Sequence, residues 1–178
     1  VLAVVHAVAA RLGAVGIEWC LAGSAARMLR GASVRPGDVD IEVAAADGPA
    51  AARALGLPAP ERQSGGGWSS LRTTGTINGV PIDLSAGLEV TGPGGTLQAD
   101  TVPAFTATLG TVPGITLGDL PIAVRLTPPG ESLARAIVAG SEERRAKALA
   151  ALPDDPVERA EALAYCEERV AAAASAAR

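Results

Sequence analysis

Hydrophobic positions along the chain change their period several times, and each change marks an element. Leu2, Val5, Val8 and Leu12, with Ala9 between them, recur at helical spacing. Residues 1–12 are therefore expected to form a helix with one face against a sheet, ended by Gly13 and Gly16. Trp19, Cys20, Leu21 and Ala22 form an unbroken apolar run bounded by Gly23, the pattern of a short buried strand. Residues 25–30 read as a short helix, with Ser24 at the N-cap position and Gly31 just past the end. Residues 38–43 then alternate strictly. On a strand this places Val39, Ile41 and Val43 on one face and Asp38, Asp40 and Glu42 on the other.

Pro49 opens a second helical segment over residues 50–57, which Pro58 and Pro60 end. Residues 62–67, Arg-Gln-Ser-Gly-Gly-Gly, read as a connector. They lack the lysine of a phosphate-binding Walker loop and are not flanked by a strand and a helix. Trp68 begins a hairpin whose turn is Asn78-Gly79. That turn sets Ile77 opposite Val80, Thr74 opposite Asp83 and Arg72 opposite Ser85. Leu71, Ile77, Val80, Ile82 and Leu84 then share an apolar face, and Arg72, Thr74, Thr76 and Asp83 share the polar one. Arg72 lies diagonal to Asp83 and within reach of it.

Residues 87–95 read as a loop. Residues 97–102 and 122–126 are the best strand candidates in a stretch broken by Pro103, Gly110, Pro113, Gly114 and Gly118. Asp100 and Asp119 fall there without ligand spacing. After the break at residues 127–130, residues 131–152 read as one helix, with Leu133, Ile137, Leu149 and Leu152 toward the core. Residues 142–147 are its charged face. Asp155 as N-cap, Pro156 as first helical residue and Glu158 as capping-box partner predict a last helix reaching about residue 174.

The chemistry concentrates in residues 19–43. A Gly-Ser turn entering a helix offers backbone N–H groups and a hydroxyl to an anion, though Ser24 as a plain cap explains the same residues. The strand after it gathers carboxylates on one face, where their repulsion calls for a cation. Oxygen-only donors suit a hard ion such as magnesium. Asp83, on the polar face of the later hairpin, supplies a third acid.

The order Gly23-Ser24, Asp38-x-Asp40 and then Asp83 resembles the nucleotidyltransferase superfamily that includes DNA polymerase beta, and within it the minimal and antibiotic nucleotidyltransferases. The resemblance covers about residues 1–90. It implies an α/β (α+β) fold: a mixed sheet flanked by helices, with a core at residues 1–126 and a C-terminal helical portion at 127–178. It implies a metal-dependent transferase that moves a nucleoside monophosphate from a nucleoside triphosphate such as ATP to an acceptor hydroxyl, releasing pyrophosphate. Asp38, Asp40 and Asp83 would be the catalytic ligands of two Mg2+ ions. Gly23 and Ser24 would hold the distal phosphates, and Arg72 would offset charge growing in the transition state. One departure stands out. Relatives often carry Arg-x-Thr or Arg-x-Ser before the acidic pair, whereas Arg35-Pro36-Gly37 has no hydroxyl. Relatives also often place a basic residue on a later helix near the phosphates, for which Arg135 is the candidate here.

Composition narrows the partners. With 178 residues the chain fits one domain with a small appendage. Hydrophobic residues are 48% and aromatics only 2%, so the core must be built from Ala, Val, Leu and Ile. The net charge of -4 argues against a general nucleic-acid surface and favours a small, cationic acceptor. Cys20 and Cys166 match no metal spacing, and Cys20 is expected as a small buried hydrophobe. His6 is expected to be structural. No apolar run reaches about 18 residues, so no membrane partner and a cytoplasmic setting are expected. Two other functions remain open: a degenerate, non-catalytic nucleotide- or partner-binding protein of the same fold, and the toxin of a toxin–antitoxin pair acting on RNA or protein.

Overall fold

The computed structural model describes residues 1–99, 116–117, 120–121 and 124–176. Helix α1 (Leu2–Ala14) buries Val4, Val5, Val8 and Leu12. The buried stripe thus starts at Val4, and Leu2, expected inside, is 47% exposed. Strand β1 (Trp19–Ala22) is buried at every position. Helix α2 (Gly23–Leu29) follows with no loop between. Its N-cap is Ala22, and no side chain caps it, so Ser24 lies inside the first turn and is not the cap. Strand β2 (Val39–Val43) leads through a 3-10 turn at Ala45–Asp47 into α3 (Gly48–Leu55), which ends on Gly56 in the left-handed region at φ 74°.

Strands β3 (Glu61–Gly65), β4 (Trp68–Ile77), β5 (Val80–Gly92) and β6 (Gly95–Gln98) complete a mixed six-stranded sheet. Its order is β1-β2-β5-β4-β3, with β6 also paired to β5. Strand β1 runs antiparallel to β2, and β2 parallel to β5. Asn78 and Gly79 join β4 to β5 with φ of 51° and 76°. Both central residues are left-handed, as a two-residue turn matched to strand twist requires.

Two segments read as connectors are sheet. Residues 61–65 form edge strand β3, and Gly66 and Gly67, at φ 57° and 80°, turn it into β4 by the same device. Residues 87–92 continue β5, and residues 95–98 form β6. Glycines mask the alternation there, but Val90 and Leu97 face each other in register and are both buried. The strand candidate at 97–102 is β6 at its start, and its remainder from residue 100 lies outside the described residues, as do Asp100 and Asp119. Of the candidate at 122–126, Leu126 makes a parallel bridge to Leu21, while residues 122 and 123 lie outside the described residues. Short strands β7 (Thr116–Leu117) and β8 (Leu120–Pro121) pair with each other.

The chain divides into two compact units, 1–63 with 70–88 and 99–127, and 64–69 with 89–98 and 128–178. The first unit packs α1 and α3 with Leu21, Val39, Ile41, Val43, Ile82 and Leu84 of the sheet into an aliphatic core. Large aliphatic side chains buried this fully contribute about 1.5–3 kcal/mol each. The second unit holds α4 (Glu131–Val138), α5 (Glu142–Ala150) and α6 (Pro156–Ala176). The single helix expected over 131–152 is two. Gly140, at φ 69°, cannot continue α4, and Ser141 restarts the chain by accepting the Arg144 N–H at 3.4 Å. Asp155 Oδ1 accepts the N–H groups of Val157 and Glu158, each at 3.0 Å, and starts α6 as its sequence predicts. Among the described residues no helix is long and apolar enough to cross a membrane.

Glu131, 1% exposed, anchors the second unit. It accepts from Tyr165 Oη at 2.8 Å, Arg135 Nε at 2.8 Å and Arg169 Nε at 3.0 Å. Burial pushes its carboxyl up, but the two guanidiniums and the hydrogen bonds outweigh that and hold it below the ordinary value. Arg135, the candidate for phosphate contact, is thus buried and engaged by Glu131.

Candidate active site

The site lies in the first unit and follows from strand register. Ala22 of β1 stands opposite Asp40 of β2, and Asp40 stands beside Asp83 of β5. Residues in register share a face, so Asp40 and Asp83 are lateral neighbours on one side of the sheet. The next row on that side is Cys20, Glu42 and Ser85. Val39, Ile41 and Val43, with Ile82 and Leu84, are buried on the other.

Because Ala22 is opposite Asp40, the chain leaving β1 must pass against the Asp40 side chain. Gly23 makes this possible. It turns into α2 at φ 62°, and a Cβ there would overlap Asp40 Oδ2 and lie 2.9 Å from Cγ. A left-handed residue with no room for a side chain admits only glycine. Ser24 follows in the first turn of α2, half-buried. In the middle of α2, Arg27 has a buried Nε with no hydrogen-bond partner among the described residues.

Asp38 is exposed and just precedes β2, Asp40 is half-buried, and Glu42 is buried at 5% exposure. The polar face is therefore not uniformly solvated. Burial, reinforced by the carboxylates of Asp38, Asp83 and Glu42, pushes the Asp40 carboxyl up to about 6, against a smaller opposing pull from Arg72. Arg72, on β4 next to β5, grips Asp83. Its Nε donates to Oδ1 at 2.8 Å and Oδ2 at 3.0 Å, and its Nη2 donates to Oδ2. The bond to Asp83 raises the Arg72 pKa above its ordinary value.

The sequence-predicted residues thus fall into linked contacts: Gly23 to Asp40, Asp40 beside Asp83, and Asp83 to Arg72. Asp38 acts on Asp40 through charge. Sequence reasoning missed the burial of Glu42 and the steric role of Gly23 toward Asp40, since both depend on which residues stand in register. The donors match a hard divalent ion in kind, since all are carboxylate oxygens. Among the described residues, however, no group of three or more His, Cys, Asp or Glu is gathered closely enough to hold a metal ion. An ion of this type commonly binds one or two carboxylates and takes its other ligands from water and substrate phosphate.

The fold is nucleotidyltransferase-like by its likeness to solved structures. Two solved structures share it. One, from Thermotoga maritima and provisionally named a nucleotidyltransferase, is 19% identical over 94% of this chain and 93% of its own, with a TM-score of 0.59. The other is the antibiotic-resistance factor ANT(2'')-Ia, 14% identical over 98% of this chain and 89% of its own, with a TM-score of 0.54. No family model matches the chain, and no curated protein is significantly similar to it in sequence.

Proposed function

We propose that the first unit transfers a nucleoside monophosphate from a nucleoside triphosphate to an acceptor hydroxyl, with release of pyrophosphate. The observation that carries this reading is the register row Ala22–Asp40–Asp83, with Gly23 folded against the Asp40 carboxylate. Asp38, Asp40 and Asp83 would hold Mg2+, in up to two ions, together with phosphate oxygens and water. The metal, when bound, supplies charge neutralisation for the triphosphate and lowers the pKa of the acceptor hydroxyl.

The chain's own groups do the rest. The absence of a Cβ at Gly23 lets the α2 entrance lie against the carboxylates, and Gly23 and Ser24 offer backbone N–H and hydroxyl donors to the distal phosphates. Asp83 accepts the proton of the attacking hydroxyl. The acceptor oxygen bonds to the α-phosphorus as the bond to the bridging oxygen breaks, and pyrophosphate leaves. Arg72 offsets charge that develops on the phosphates.

A small-molecule acceptor is the favoured class, in keeping with the net charge of -4 and the likeness to an antibiotic-resistance factor. The test is pyrophosphate release from each of the four nucleoside triphosphates against a panel of aminoglycosides and other polyols. Release that requires both acceptor and Mg2+ and is abolished in Asp40→Asn supports the reading; release unaffected by that substitution contradicts it.

A non-catalytic nucleotide- or partner-binding protein of the same fold is the second reading. The missing hydroxyl at Arg35-Pro36-Gly37 and the absence of a gathered acidic triad among the described residues favour it. Nucleotide binding with no turnover on any acceptor distinguishes it.

A further inference from the structure

We propose that Arg72 is a latch. In the ligand-free protein it serves as an internal counter-cation on Asp83, and a divalent cation enters the carboxylate row only by displacing it. The inference rests on the reading of Asp40 and Asp83 as cation ligands and adds what regulates their filling.

Three observations carry it. Arg72 engages both oxygens of Asp83 through two of its nitrogens, so a metal must compete with the guanidinium for this carboxylate. Asp83 stands in register with Asp40, so the Arg72 guanidinium is seated on the carboxylate row itself. Among the described residues no group of three or more His, Cys, Asp or Glu is gathered closely enough to hold a metal ion. The pair is also built to open. The Arg72 side chain is 44% exposed and that of Asp83 22%, so water can replace each partner as they separate. Displacement exchanges one cation for another at Asp83 and frees the guanidinium at the same moment that a metal–triphosphate brings in negative charge.

The decisive experiment is a Mn2+ titration without nucleotide, followed by the paramagnetic resonance of free Mn2+. It compares the unsubstituted protein with Arg72→Lys, Arg72→Gln, Asp40→Asn, Asp83→Asn and the Arg72→Lys/Asp83→Asn double variant, each checked by its unfolding transition. Lysine keeps the charge but cannot chelate both oxygens. The latch predicts that Arg72→Lys and Arg72→Gln both tighten Mn2+ binding by about three- to tenfold. It also predicts that Arg72→Lys has no effect in the Asp83→Asn background. Tightening in Arg72→Gln alone would show simple charge repulsion and overturn the latch. Binding that is lost in Asp40→Asn but indifferent to Arg72→Lys would overturn the latch and leave the metal site standing. No Mn2+ binding in any form, Arg72→Gln included, would overturn both.

Discussion

Asp40→Asn keeps the side chain's shape and deletes its charge. In the folded protein the Asp40 carboxyl titrates at about 6, against 3.8 for an ordinary aspartate. A folded-state pKa that is raised favours the protonated native protein. The stability this contributes is fully present below about pH 4 and is lost as pH rises through about 6. At about 1.4 kcal/mol per pH unit, the whole difference amounts to ~3 kcal/mol. Asp40 is only half-buried, and solvent screening lowers this to about 1–2 kcal/mol. At pH 8 the wild type carries that penalty and the asparagine variant does not. Urea unfolding followed by circular dichroism at pH 4.5, 6 and 8 reads the difference directly. Asp40→Asn is expected to be the more stable protein by about 1–2 kcal/mol at pH 8, with the advantage shrinking toward pH 4.5. A variant less stable than wild type at pH 8, or a difference flat with pH, would refute the reasoning.

Two further substitutions test the frame around it. Gly23→Ala puts a Cβ 2.9 Å from Asp40 Cγ and 3.4 Å from its Cβ, in a left-handed conformation. It should cost about 1–3 kcal/mol and weaken nucleotide-analogue binding about tenfold or more; unchanged melting and affinity would contradict the packing described for it. Glu131→Gln removes the buried carboxylate charge that Arg135 and Arg169 both engage. It should destabilise by about 3–5 kcal/mol in denaturant unfolding, and a loss under about 1 kcal/mol would show the network to be dispensable.

Much of this architecture is written in local patterns. Asp155 with Pro156 fixes the start of α6, and Asn78-Gly79 fixes the β4–β5 turn, because each meets a need within a few residues of chain. Arg72 and Asp83 were placed within reach of each other by that turn's register alone, and the structure joins them by hydrogen bonds. Where local preference and tertiary need part, the sequence misleads. Gly66-Gly67 suggests flexibility in isolation, yet the same residues close a hairpin once β4 is available to pair with. Residues 131–152 are expected as one helix, yet the left-handed backbone at Gly140 and the Ser141 cap divide α4 from α5. Ser24 has the composition of a cap, but β1 runs directly into α2, and the cap position falls on Ala22. Alternation assigns Glu42 to the acidic face but says nothing of its burial. Glu42 is buried beside Cys20 and Ser85, a relation set by two strands distant in sequence.

The central claim is that Asp40 and its neighbours form a cation-dependent nucleotide site. Calorimetric titration with a non-hydrolysable ATP analogue, and then its GTP, CTP and UTP counterparts, with and without Mg2+, tests it most directly, with Asp40→Asn as the control. The account predicts binding that requires Mg2+ and is lost in Asp40→Asn. Binding of none of the four analogues, or binding indifferent to both Mg2+ and the substitution, would contradict it.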